Sequence, residues 1–249
     1  MFAVIQFPGS NDDRDLRFAL KAVLGVEAGL IWHSQSELST DAQAVLLPGG
    51  FSYGDYLRCG AMARFSPVMA AVRRFAEAGG PVLGICNGFQ VLCEAGLLPG
   101  ALLRNRDLHF VCEFVSLRVE RGDTAFTSRV AAGARLSLPI KHGEGAYFAR
   151  PDELARLEAR RQVVLRYCAP DGSVTDAANP NGAVGNIAGI INERGNVFGL
   201  MPHPEHAVEG AIGGLDGRKI LGSLVDAVRN GRFAAAGRFA AASSAGRTP

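Results

Sequence analysis

Pro81-Val82-Leu83-Gly84-Ile85-Cys86-Asn87-Gly88-Phe89-Gln90-Val91-Leu92 is the stretch around which the chain is organised. The apolar run Val82 to Ile85 reads as a short buried strand. Phe89, Leu92 and Cys93 recur at helical spacing, so strand gives way to helix at Cys86. Glycines flank the cysteine as Gly-x-Cys-x-Gly, where larger side chains would collide across a tight strand-to-helix turn. Such an elbow pushes the sulfur out of the fold. At a helix N-terminus, unpaired N–H groups and the positive dipole end favour thiolate over thiol. Cys86 is therefore the candidate nucleophile, rather than one more small buried apolar residue.

The rest of the composition is that of an ordinary globular chain. With 249 residues, 48% hydrophobic and 20% charged, it can bury a full core as a single domain. The net charge is +2, and all but three of the 26 Lys and Arg are arginine, scattered along the chain. No nucleic-acid footprint and no basic membrane helix is visible. The five cysteines, at 59, 86, 93, 112 and 168, form no Cys-x-x-Cys pair and cannot all be cross-linked, which fits a reducing compartment. Met1 to Phe7 lacks a basic flank and meets Pro8-Gly9 too early for a signal segment or a membrane span, so a cytoplasmic protein is expected.

Outward from the elbow the pattern alternates. Phe2 to Phe7 reads as a strand, followed by a helix from about Asp12 to Leu24 capped by Ser10 or Asn11. Strands follow at about Val26 to Trp32 and Ala44 to Leu47, then a helix over Phe65 to Ala78. This predicts an α/β domain with a central, mostly parallel sheet flanked by helices, its site at the carboxyl ends of the strands. The segment Gly49 to Arg64 is long and glycine-rich for a connection, as functional loops often are. Gly49-Gly50 is either a plain turn or a place where N–H groups face a cleft. In the second half, strands near Phe110 to Glu120, Leu136 to Ile140, Val163 to Tyr167, Ile187 to Asn192 and Asn196 to Leu200 suggest antiparallel hairpins. Turns are expected at Asp171-Gly172, Asn179-Pro180-Asn181-Gly182 and Glu193-Arg194-Gly195-Asn196. A last helix spans about Gly217 to Arg229. The domain is set at 1–231, and 232–249, rich in Ala, Gly and Ser, reads as a mobile tail.

A thiolate that attacks an amide needs a base to hand a proton to the leaving nitrogen, and a third group to orient that base. Of five histidines, His33 and His109 read as packing or surface residues. His203 lies in Met201-Pro202-His203-Pro204-Glu205-His206, directly after a buried strand, where prolines on both sides favour extended backbone. Alternate residues then face one way, which pairs His203 with Glu205. His203-x-x-His206 lacks further ligands at zinc spacing, so no metal is assigned. His142-Gly143-Glu144-Gly145 is a polar loop after a strand, suited to a substrate's charged ends.

Taken together, Gly84 to Gln90 and His203-Pro204-Glu205 resemble the class I (triad) glutamine amidotransferases, a flavodoxin-like fold. Pro8-Gly9-Ser10-Asn11, Pro48 to Arg58 with its Phe-Ser-Tyr-Gly-Asp-Tyr run, Cys86 to Gln90, His142 to Gly145 and Asn179 to Gly182 are similar to the glutaminase subunits of phosphoribosylformylglycinamidine synthase, in order, over about residues 2 to 230. The resemblance implies that Cys86 attacks the side-chain amide of L-glutamine, that His203 serves as acid and base, and that Glu205 orients it. It implies an oxyanion hole from backbone N–H groups of Gly50, Phe51 and Asn87. Gln90, His142, Gly143 and Glu144 are the substrate-binding candidates. Ammonia then passes to a synthase subunit, in a complex with a small accessory subunit. No cofactor is expected in this chain, which has no Gly-x-x-x-x-Gly-Lys-[Ser/Thr], so ATP and Mg belong to the synthase. His206 stands where arginine is frequent in the family, which implies an altered partner contact. Two other readings are a cysteine hydrolase on the same elbow and a silent glutamine-binding regulatory module; intact Cys86, His203 and Glu205 argue against the second.

Overall fold

The computed structural model describes residues 1–233, and the expected tail from 234 onward lies outside the described residues. The first strands are β1 (Phe2–Gln6), β2 (Ala28–Trp32), β3 (Ala44–Leu47) and β4 (Val82–Ile85), with α1 (Asp13–Phe18), α2 (Pro67–Glu77) and α3 (Asn87–Glu94) between and after them. The second half adds β5 (Ala101–Leu103), β6 (Val111–Val119), β7 (Arg135–His142), β8 (Ala146–Phe148), α4 (Pro151–Ala159), β9 (Val163–Tyr167), β10 (Ile187–Ile191), β11 (Val197–Leu200) and α5 (Gly217–Arg229).

One nine-stranded sheet runs β2-β1-β3-β4-β11-β10-β9-β6-β7. From β2 to β11 neighbours are parallel, and from β11 to β7 they are antiparallel. The parallel strands read as continuous apolar runs because both faces are covered, and every residue of β3, β4 and β11 is buried. The last strand in sequence, β11, is inserted at the centre against β4, with Leu200 opposite Ile85. This pairing delivers two distant sequence segments to neighbouring strand ends.

Three local expectations change. The first helix is only six residues long before it widens into a π-helical turn over Ala19–Val23, and neither Ser10 nor Asn11 caps it. The Ser10 hydroxyl instead accepts the Phe7 N–H at 3.2 Å, closing the preceding turn. Asn179 to Gly182 is not a hairpin tip: Asn179 and Asn181 are buried, and Asn181 donates to the Gly145 carbonyl (2.9 Å) and the Tyr167 hydroxyl (3.2 Å). The domain reaches slightly past 231, since Arg232 donates to the Asp123 carbonyl at 2.9 Å and Phe233 packs on the core. Helix α4 and the β5–β8 ribbon had no strong periodicity to announce them. The β10–β11 hairpin turns at Glu193 to Asn196 as its composition suggests.

Candidate active site

Cys86 sits between β4 and α3 with φ 49° and ψ −106°, a conformation that costs an L-residue roughly 1–3 kcal/mol and is found where a side chain must be aimed. The glycines make it possible. A β-carbon on Gly88 would lie 2.6 Å from the Leu47 carbonyl carbon, and one on Gly84 would lie 2.7 Å from the Gly88 oxygen. Helix and sheet backbones therefore touch directly, and the Cys86 N–H donates to the Leu200 carbonyl of β11 at 2.8 Å.

His203 follows β11. Its N–H donates to the Pro139 carbonyl of β7 at 2.8 Å, because the β6–β7 hairpin folds back over the strand ends. The His203–Glu205 pair does form, Nδ1 lying 2.6 Å from Oε1 with both side chains buried. The backbone reason differs from the expected one: His203 is extended, but Pro204–His206 is a 3-10 turn, and this turn brings Glu205 back onto the ring. Nε2 is buried without a hydrogen bond among the described residues and lies within reach of the Cys86 charge. Burial opposes charging this imidazole, but Glu205 and Cys86 outweigh it and raise its pKa to about 10. The cysteine thus meets the histidine–glutamate pair from a segment more than a hundred residues away in the sequence.

The proposed oxyanion donors divide. Asn87 opens α3, where its N–H has no intrahelical acceptor. Gly50 has φ 129°, and its N–H has no acceptor among the described residues. Phe51 departs from expectation: its N–H donates to the Gly9 carbonyl at 3.0 Å, next to an isolated Ser10–Gly50 bridge, and is not available to a ligand. The Asn87 side chain fastens the same loop, accepting the Ser52 N–H at 3.2 Å and donating to Gln90 Oε1 at 2.9 Å.

The substrate-binding candidates are mostly spent inside the protein. Gln90 donates to the Glu144 carbonyl at 2.6 Å, so its amide ties α3 to the 142–145 loop instead of facing a ligand. His142 is buried, its Nδ1 3.1 Å from Asn105 Oδ1 and its Nε2 3.5 Å from the Asn181 amide. Gly143 accepts the Asn105 N–H through its carbonyl at 2.9 Å. The half-buried Glu144 carboxylate, 3.6 Å from Arg104 and accepting the Cys59 N–H at 3.3 Å, remains the polar group with open access. Buried Asn105 was missed in the sequence; it holds the loop by donating to the His109 and His142 carbonyls, each at 2.8 Å. A lone Asn in an arginine-rich loop gives no signal of that.

Burial, and then the charge of His203, push His142 down to about 4. The unfolded chain, with an ordinary histidine near 6.5, takes up the proton first. The stability this neutral histidine allows is therefore complete above pH ~6.5 and is lost as pH falls toward 4, by about 2–3 kcal/mol at pH 4.5. Urea midpoints at pH 7 and 4.5 check this; a His142→Gln variant is expected to lose much less over the same interval.

Asp12, His203, Glu205 and His206 place possible ligand atoms within 4.8 Å of one another. One of the four, Asp12, is already paired with the Lys141 ammonium at 2.5 Å. His206 Nε2 lies 3.1 Å from Asp12 Oδ1 within the chain.

Comparison with known proteins agrees with this geometry. Residues 1–213 match the CobB/CobQ-like glutamine amidotransferase domain. The chain is 58% identical over 225 residues to phosphoribosylformylglycinamidine synthase subunit PurQ of Moorella thermoacetica, covering 90% of this chain and 95% of that one. It is 59% identical over 227 residues to PurQ of Salinibacter ruber, covering 91% and 96%. A chain in the structure of PurLQS from Thermotoga maritima superposes with a TM-score of 0.80 at 45% identity, over 90% of this chain and 97% of that one. Cysteine elbow, buried histidine–glutamate pair and whole-length similarity give one answer: the chain belongs to the glutamine amidotransferase family, among the glutaminase subunits of phosphoribosylformylglycinamidine synthase.

Proposed function

We propose that this chain hydrolyses L-glutamine through a Cys86 thioester and delivers the ammonia to a separate synthase subunit. The observation that carries it is the buried His203–Glu205 pair at 2.6 Å, whose free Nε2 lies beside a cysteine held at the N-terminus of α3. Cys86 attacks the side-chain amide carbon, and the oxyanion is received by the N–H groups of Asn87 and Gly50. His203 gives its proton to the departing ammonia. It then takes a proton from the water that attacks the thioester, releasing glutamate and restoring the thiolate. Each oxyanion donor is worth about 3 kcal/mol of barrier in comparable sites.

The synthase partner follows from the PurLQS assembly in which the similar chain was solved. The mouth of the site suits a docking face, because Phe51 and Phe110 stack at 6.4 Å and Tyr56, Leu57 and Leu108 stand exposed around them. On the same reading a small accessory subunit joins the complex, and ATP and Mg are placed on the synthase subunit, which would use the ammonia to convert formylglycinamide ribonucleotide to the amidine. This chain's own reaction calls for no cofactor. Among the described residues no helix is long and apolar enough to cross a membrane, and a cytoplasmic location fits the reduced cysteines.

Glutamine-dependent ammonia release, measured for the chain alone and after adding the synthase and accessory subunits, tests the reading. Release that rises on assembly is the expected result. Release unchanged by the partners would remove the channelled role, and none in either state would remove the glutaminase.

A further inference from the structure

Asp12 is a buried acidic group beside the triad that the triad chemistry does not use. It stands at the N-cap position of α1 and makes no side-chain cap there, although capping is the usual task of aspartate at that place. Its two oxygens have different surroundings. Oδ1 accepts from Lys141 Nζ at 2.5 Å and lies 3.1 Å from His206 Nε2. Oδ2 is buried with no hydrogen bond, 3.7 Å from His203 Nδ1. The contact is enforced by Gly49, where a β-carbon would collide with Oδ2 and lie 2.6 Å from His203 Cε1. A carboxylate placed only to neutralise Lys141 would share both oxygens with donors; this one leaves an oxygen desolvated against the ring.

We infer that Asp12 is a positioning residue for His203, a second carboxylate set against the imidazolium and aimed by Lys141 and His206. This rests on the triad reading given above. Glu205 holds Nδ1 by a hydrogen bond. Asp12 adds a through-space charge that favours the protonated ring, its Oδ2 3.7 Å from the same Nδ1. All the ionisable groups around the ring enter the balance: Glu205 and His206 on its own turn, Cys86 from the elbow, Asp12 from the β1–α1 loop, and Lys141 and His142 from β7. Burial would raise the Asp12 carboxyl, but His206, His203 and Lys141 hold it far below the ordinary range, so it remains an anion. Its removal has a double consequence, since the anion is lost and the Lys141 charge is left unbalanced beside His203.

The two members of this pair therefore bias His203 in opposite directions, which a purely structural role does not. The test is an NMR titration of [13Cε1]histidine-labelled wild type, Asp12→Asn and Lys141→Met, with glutaminase kcat/KM measured on the same samples. In Asp12→Asn the His203 midpoint is expected to fall by about one pH unit or more, which is tenfold in the proton equilibrium, with a loss of roughly tenfold in kcat/KM above neutral pH. In Lys141→Met the midpoint is expected to rise. An unmoved midpoint in Asp12→Asn, or shifts of the same sign in both variants, overturns the inference. If Asp12→Asn does not fold, Lys141→Met decides by itself, because only an upward shift agrees. Cys86→Ala run alongside separates the premises: ammonia release that survives in it removes the triad reading, while the titration still reports on Asp12.

Discussion

Replacing Cys86 by serine is expected to lower glutamine hydrolysis by roughly 10⁴-fold or more while leaving the fold and the docking of partners intact. The reason lies in how His203 is held. Burial works against its charge, yet Glu205 at 2.6 Å keeps the ring on the imidazolium side of neutral pH, and the Cys86 charge adds to this. Such a histidine suits a nucleophile that ionises readily and needs an acid for its leaving group. A serine hydroxyl needs a strong base to remove its proton, and a ring already protonated cannot be one. The substitution changes one atom at a side chain 5% exposed, so the fold has little to lose. Ammonia release by the assembled complex is the measurement, with the melting temperature as the control; turnover within tenfold of wild type would sink the nucleophile assignment.

The second large effect is on folding itself. Gly88→Ala is expected to destabilise the domain by about 4 kcal/mol or more, at the extreme of what single substitutions do. The new methyl group would overlap the Leu47 carbonyl oxygen and sit 2.6 Å from its carbon. That neighbour is backbone of β3, a central strand bonded to both β1 and β4, and cannot yield as a side-chain tip would. Gly96→Ala provides the contrast: nothing lies within 4 Å of its would-be β-carbon, and only the left-handed φ of 67° must be borne, at about 1 kcal/mol. Denaturant unfolding of the two variants should differ by several kcal/mol. Equal losses would mean that α3 can lift away from the sheet.

What could be read in the chain follows from how far each interaction reaches along it. The elbow was legible because its requirements are local: an apolar strand, two glycines and a helical repeat within twelve residues. His203 was legible because prolines bracket it, with Glu205 two residues on, although the turn that pairs them was not. The fate of the Phe51 N–H was hidden, since it depends on Gly9, which only the Ser10–Gly50 bridge brings near. Gln90 looked like a ligand group because it lies one turn beyond Cys86; its partner, the Glu144 carbonyl, comes from a loop 54 residues away. Asp12 and Lys141 are 129 residues apart and meet only because the β6–β7 hairpin curls over the strand ends. Spacing cannot reveal a charge pair that a sheet assembles.

The central position of β11 also sets an order of events on the ribosome. Cys86 emerges early, together with β1 to β4, but the strand that leads into His203 and completes the β4 edge is made more than a hundred residues later. At usual elongation rates this is a delay on the order of ten seconds. Throughout it the nascent chain holds a cysteine with no base, and β4 offers an unpaired edge. Nucleophile and base come together when β11 enters the sheet through the Leu200–Ile85 register. A copy that stops before β11 therefore has a nucleophile without its base, and chemical competence arrives with the central strand.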